Sequence, residues 1–191
     1  MDCKGALAEA GGDFDKAIGI LRKKGQKVSA ARADRDTTEG IVLTQVNDAH
    51  SYGVMFALSC ETELEEKNEA FQQLGQTILA TAFTHKPATL ENLLTLVVEG
   101  SCTIQEKITE LVGKIGEKVA ISAYTTLSSE VVVPYVHMGS KLGVLVGLQG
   151  SHGAQAIEAG KDVAMQIAAM NPLAVDKEGI DTAVLDQELA I

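Results

Sequence analysis

Three sets of side chains in this sequence could carry chemistry. They are the thiols of Cys3, Cys60 and Cys102, the imidazoles of His50, His85, His137 and His152, and the carboxylates of Cys60-Glu-Thr-Glu-Leu-Glu-Glu-Lys-Asn68. A thiol activated by an imidazole would support acyl transfer. The histidines, however, fall in loops or at strand ends far apart in sequence, and no nucleophile motif surrounds a serine or cysteine. Cys60 closes an apolar run and reads as a buried structural thiol. The carboxylates could hold a cation, but they lack the spacing of a calcium loop. Thr62-x-x-Glu65 has capping-box form instead, and Glu61–Glu66 complement a helix N-terminus. Gly139, Gly143, Gly147 and Gly150 precede no Lys-Ser/Thr pair, and Gly113 and Gly116 do not join a strand to a helix. These spacings predict no catalytic residue, no cofactor and no metal site. The expected mode of action is the gripping of another protein.

The elements that must position these groups follow from periodicity. Residues 1–25 predict two short helices, the first stopped at Gly11-Gly12 and the second capped by Asp13 and ended by basic residues and Gly25. Residues 26–38 are polar and charge-rich and read as a linker with some helical character. Ile41–Val46 and Gly53–Ser59 predict a β-hairpin, followed by a helix carrying Phe71, Leu74 and Ile78. Thr89–Leu96 predicts a further helix, and Thr103-Ile-Gln-Glu106 is a capping box ahead of an amphipathic helix ended by Gly116. A strand over Val119–Tyr124 comes next.

The pattern then echoes itself. Val131–His137, a loop over Met138–Lys141 and Leu142–Leu148 repeat the hairpin, and a helix through Val163, Ile167 and Met170 follows. Gly53-Val54 and Gly143-Val144 open the returning strand of each copy. Pro134 marks its strand as an edge. Asp176–Ile191 is again helical in pattern. The fold class expected is α+β: a small helical segment, then two related antiparallel sheet-plus-helix subdomains. Both termini fall within helical patterns, which reads as a chain cut at both ends.

Composition excludes several functions. Of 191 residues, 46% are apolar and 4% aromatic, with no Trp, so the core is aliphatic and base-stacking platforms are absent. The net charge of −10, with no basic cluster beyond Arg22-Lys23-Lys24, argues against direct nucleic-acid binding. No membrane span or signal peptide is present, and three unpatterned cysteines suit a reducing, cytoplasmic setting.

Several stretches resemble the elongation factor Ts family, in order along the chain. Met1-Asp-Cys-Lys-Gly-Ala-Leu7, Glu9-Ala-Gly-Gly-Asp-Phe-Asp-Lys-Ala17 and Leu21-Arg-Lys-Lys-Gly25 resemble its ubiquitin-associated-type N-terminal domain. Ala33-Asp-Arg35 and Glu39-Gly40 resemble its entry into the core, and Cys60-Glu-Thr62 with Lys67-Asn68 its C-E-T-D-F-V-A-K-N signature. Tyr135-Val-His137, Gly143-Val-Leu-Val146 and Asp162–Pro172 resemble its second core subdomain.

The resemblance implies guanine-nucleotide exchange on elongation factor Tu during translation elongation, in its GDP-bound and nucleotide-free states, without bond-making. It implies partner-binding residues Glu61, Thr62, Glu63 and Leu64, with Glu63-Leu64 standing where the family has Asp-Phe, and His137, Met138 and Gly139 on the second subdomain. Because the carboxylate is one methylene longer and the ring is gone, weaker exchange is expected. The implied division is a partial ubiquitin-associated-type domain over 1–25, a linker over 26–38, a first core subdomain over 39–128 and an incomplete second one over 129–191. Lys4, Arg22 and Lys23 offer further contacts on the helices. The competing expectation is a diverged relative that binds a partner, or assembles as a homo-oligomer, without exchange.

Overall fold

In the computed structural model, residues 2–63, 67–98, 102–139 and 141–189 are described. Helix α1 spans Asp2–Glu9 and gives way to Gly11 and Gly12, both at positive φ. Asp13 then caps α2 by accepting from the Lys16 amide at 3.1 Å. Helix α2 does not stop at Gly25; it runs over Phe14–Ala31, so residues 26–31 of the expected linker are helical and 32–38 are not. The reason is tertiary. Gly25 is buried where α2 crosses a later helix, α5 (Ile104–Ile115), and a Cβ on Gly113 of α5 would lie 2.6 Å from the Gly25 Cα. The paired glycines let two backbones meet, and the contact sustains a helix that the sequence alone would end.

The central sheet has the order β1-β2-β5, with β1 Glu39–Val46, β2 Tyr52–Cys60 and β5 Val119–Ser128 all antiparallel. Gly40 sits at φ 151°, and a Cβ there would come within 2.2 Å of the Leu58 carbonyl oxygen, so only glycine fits at the entry to β1. Between β2 and β5 come α3 (Glu69–His85), α4 (Leu90–Thr95), the short β3–β4 pair Val97–Val98 and Cys102–Thr103, and α5. The predicted capping box is present at α5, with Thr103 and Glu106 bonding reciprocally. Val54, Phe56 and Leu58 on one face of β2 join Phe71, Ile78, Leu93, Ile104 and Ile108 in the main core. Each such fully covered side chain contributes about 1.5–3 kcal/mol.

The other face of β2 is also covered. Strands β6 (Val131–Val136) and β7 (Gly143–Leu148) pair as a two-stranded ribbon, and this ribbon lies on the sheet. The two echo glycines make the contact reciprocal. A Cβ on Gly53 would meet Val132 Cγ1 at 3.0 Å, while one on Gly143 would meet Val42 Cγ1 at 2.5 Å and Met55 Sδ at 2.8 Å. Each returning strand thus opens with a gap that receives the other ribbon. Helix α6 (Gly153–Met170) covers the ribbon's far side, with Ala156 and Ile157 against Val131, Val133 and Leu148. Both ribbons therefore carry their own helix outside and share a face inside, the α+β arrangement expected. Pro134 lies in β6, an edge strand of that ribbon.

The C-terminal pattern is not one helix. A 3-10 turn over Lys177–Gly179 is held by Asp176, Ile180 is extended, and Asp181 accepts from the Ala183 amide to start α7 (Thr182–Leu189). Among the described residues no helix is long and apolar enough to cross a membrane.

Candidate partner-binding site

The acidic stretch begins where β2 leaves the sheet. Glu61 is tied inward: both its oxygens accept from the Arg32 guanidinium, at 3.0 and 2.9 Å, and Oε1 also accepts from the Lys118 amide at 2.7 Å. The amide bond, followed by Arg32, holds its carboxyl below the usual glutamate range. Lys118 completes the knot by donating its ammonium to the Ala33 and Arg35 carbonyls just beyond α2. Thr62 donates its amide and hydroxyl to Glu117 at 3.0 and 2.9 Å. These two predicted contact residues are thus engaged within the chain, joining α2 to the ends of β2 and β5.

Glu63 is different. Its side chain is exposed and pairs only a helical turn onward, with Lys67 at 2.6 Å. That hydrogen bond, more than any other influence, keeps its carboxyl below the usual range, and the Lys141 charge adds to the effect. Leu64, Glu65 and Glu66 lie outside the described residues, so the Leu64 position and the Thr62–Glu65 box do too. Helix α3 is capped by Asn68, whose side-chain carbonyl accepts from the Ala70 amide at 2.9 Å.

The second predicted stretch forms the tip between β6 and β7. The His137 amide donates to the Leu142 carbonyl at 2.8 Å and closes the loop. Between them Met138 is 92% exposed, and Gly139 takes φ 91°. The Tyr135 hydroxyl and His137 Nδ1 lie 2.8 Å apart, which fixes the ring's orientation. The loop then returns to the first stretch through Lys141, whose ammonium pairs with Glu39 at the start of β1. Glu39 stands opposite Cys60 in the ladder, one residue before Glu61. Residues some 75 apart in sequence are so brought to one end of the sheet. The resulting surface presents a carboxylate, a flexible thioether and an imidazole, groups suited to docking on a protein rather than to making bonds.

Glu39, Lys141, Arg32 and Lys118 were not legible as site residues, because each acts through a partner distant in sequence. Arg22, a candidate surface contact, stays exposed while its guanidinium donates to the buried Cys102 Sγ at 2.9 Å.

Comparison with known proteins decides the family of the chain. A family profile described as "Elongation factor TS" matches residues 61–191. Elongation factor Ts of Amoebophilus asiaticus is 60% identical over 191 residues, covering all of this chain and 69% of that protein. The chain belongs to the elongation factor Ts family. The same name attaches to relatives from Cytophaga hutchinsonii, 51% identical with 69% of that protein covered, and from Porphyromonas gingivalis, 45% identical with 68% covered. In this elongation factor Ts relative the profile takes in both candidate stretches, beginning at Glu61 and extending past Lys141. Membership places the chain among translation elongation factors.

Proposed function

We propose that this member of the elongation factor Ts family is a guanine-nucleotide exchange factor, which binds elongation factor Tu and promotes GDP release without chemistry of its own. The observation that supports this reading is an exposed Glu63 carboxylate that feels the charge of Lys141, at the foot of the loop that carries Met138. A carboxylate and an apolar group inserted near a nucleotide's magnesium ion would disturb the ion and loosen the phosphates. Glu61 and Thr62 act as the anchor for that corner, since their polar atoms are committed to Arg32, Lys118 and Glu117. Linkage requires that nucleotide weaken the factor's binding by the same ratio as the factor weakens nucleotide binding, so incoming nucleotide expels it.

Release of a fluorescent GDP analogue from bacterial elongation factor Tu, with and without this chain, tests the reading. Acceleration that falls when Glu63 and Leu64 become Ala supports it, and no acceleration by a folded chain overturns it. One observation favours a second reading, binding or self-assembly without exchange. Val163, Met165 and Met170 are exposed at the C-terminal half of α6, around an open apolar groove of about 530 Å³. Concentration-dependent mass in sedimentation, with GDP release unaffected, would favour it.

A further inference from the structure

We infer that the Lys141–Glu39 ion pair is a positioning clasp, which holds the Met138-bearing tip of the β6–β7 loop against the corner where Glu61–Glu63 leave β2. The inference rests on the exchange-factor reading for its functional consequence, but the clasp itself is a property of the free chain.

Three observations carry it. The first is register. Glu39 faces Cys60 across the β1–β2 ladder, so a charge landing on Glu39 lands beside the first residue of the acidic stretch. The second is burial. The Glu39 side chain is only 25% exposed, at a cleft of about 220 Å³ lined by Thr37, Gly40, Ser59, Ser122 and Lys141, while the Lys141 side chain is 52% exposed. Lys141 therefore reaches in from the loop to a carboxylate that the sheet holds still. The third is that the stems of the loop are fixed without it. Gly143 is seated on Val42 and Met55, and the His137 amide is bonded to Leu142. Loss of the pair should leave the ribbon folded and release only the tip. Lys141 also bears on the Glu63 carboxyl, which places its charge between the two candidate stretches.

A partly exposed pair of this kind adds little to stability, so its effect belongs in geometry. If the clasp aligns two halves of one docking surface, its loss weakens engagement without altering what the engaged surface does. The factor concentration giving half-maximal GDP release would then rise about two- to fivefold, and the plateau rate would hold.

The test takes Lys141→Ala, Glu39→Ala, the double variant and the exchanged pair Lys141→Glu with Glu39→Lys. In the free chain, hydrogen exchange should speed up at the tip amides of 138, 139 and 141 in Lys141→Ala, with the His137 stem amide and the β2 and β5 amides unchanged. In GDP release, each single variant should shift the half-maximal concentration, the double variant should be no worse than the singles, and the exchanged pair should recover. Unchanged loop protection would overturn the clasp, as would single-variant effects that multiply in the double. If the parent chain fails to accelerate GDP release, the exchange reading falls, and the hydrogen-exchange arm still decides the clasp.

Discussion

The crossing of α2 and α5 offers the sharpest test of how this fold is held. Gly113 and Gly25 meet backbone to backbone, and a Cβ added at 113 would stand 2.6 Å from the Gly25 Cα, where ordinary contact begins near 3.4 Å. Gly113→Ala must therefore push the helices apart by the better part of an ångström, since neither neighbour is a side chain that can turn away. A gap of that size forfeits about a quarter to a half of each contact it opens, and overpacking of a core typically costs about 1–3 kcal/mol. Against this stands the gain of about 1 kcal/mol for replacing a mid-helical glycine with alanine. The expected net is a loss of about 0–2 kcal/mol.

Gly19, in the same helix α2, is the control: a Cβ there meets nothing within 4 Å. Gly19→Ala should gain about 1 kcal/mol by helix propensity alone. The two alanine variants should differ by about 1–3 kcal/mol, or roughly 2–12 °C in Tm for a chain of this size. Urea unfolding followed by circular dichroism, with the m-value checked for constancy, measures the difference. Should both variants stabilise the chain alike, the crossing is not tight and the account of why α2 continues past Gly25 is wrong.

Other expectations follow from single side chains. Tyr52 carries a buried hydroxyl without a hydrogen-bond partner, while its ring packs against Phe83 and beneath the Lys86 ammonium. Tyr52→Phe keeps both ring contacts, so stability should be unchanged or higher by about 1 kcal/mol, and a loss of that size in thermal unfolding would contradict the burial argument. Glu61 has its carboxyl pKa depressed in the fold below the ordinary 4.5, so its ionised form stabilises the chain above that value and the contribution fades as pH falls through the lower folded value. A Glu61→Gln chain should accordingly lose less Tm than the parent between roughly pH 5 and pH 3, and parallel curves would rule this out. For the site itself, Glu63→Asp with Leu64→Phe should raise the rate of GDP release from elongation factor Tu, because a shorter carboxylate and an aromatic ring match the family's signature. Stopped-flow kinetics showing no gain would refute the idea that Glu63-Leu64 is a weakened form of that pair.

Local signals were legible wherever neighbours in sequence settle the structure. Asp13, Thr103 and Glu106 cap as their spacing says, since a cap needs only the amides two or three residues onward. The two hairpins were legible from their apolar runs, and Cys60 as a buried thiol from the run it closes. Gly25 misled because glycine after basic residues has the form of a helix stop, whereas here it serves a contact with Gly113, 88 positions away. In the acidic stretch the long-range bonds were not legible: Thr62 and Glu61 bond to Glu117, Arg32 and Lys118, which no local spacing reveals.

Taken alone, the sequence determined the class of fold, the repeated hairpin-plus-helix unit and the family-like stretches that point to a translation factor, because periodicity, caps and short motifs are written in adjacent residues. Only the tertiary structure decided that the two units share a face, that Gly53 and Gly143 are the matching gaps in that face, and that Lys141 closes on Glu39. Those facts depend on which side chains meet after the chain has folded back on itself, and a pair of residues a hundred positions apart carries no mark of that meeting until the sheet between them exists.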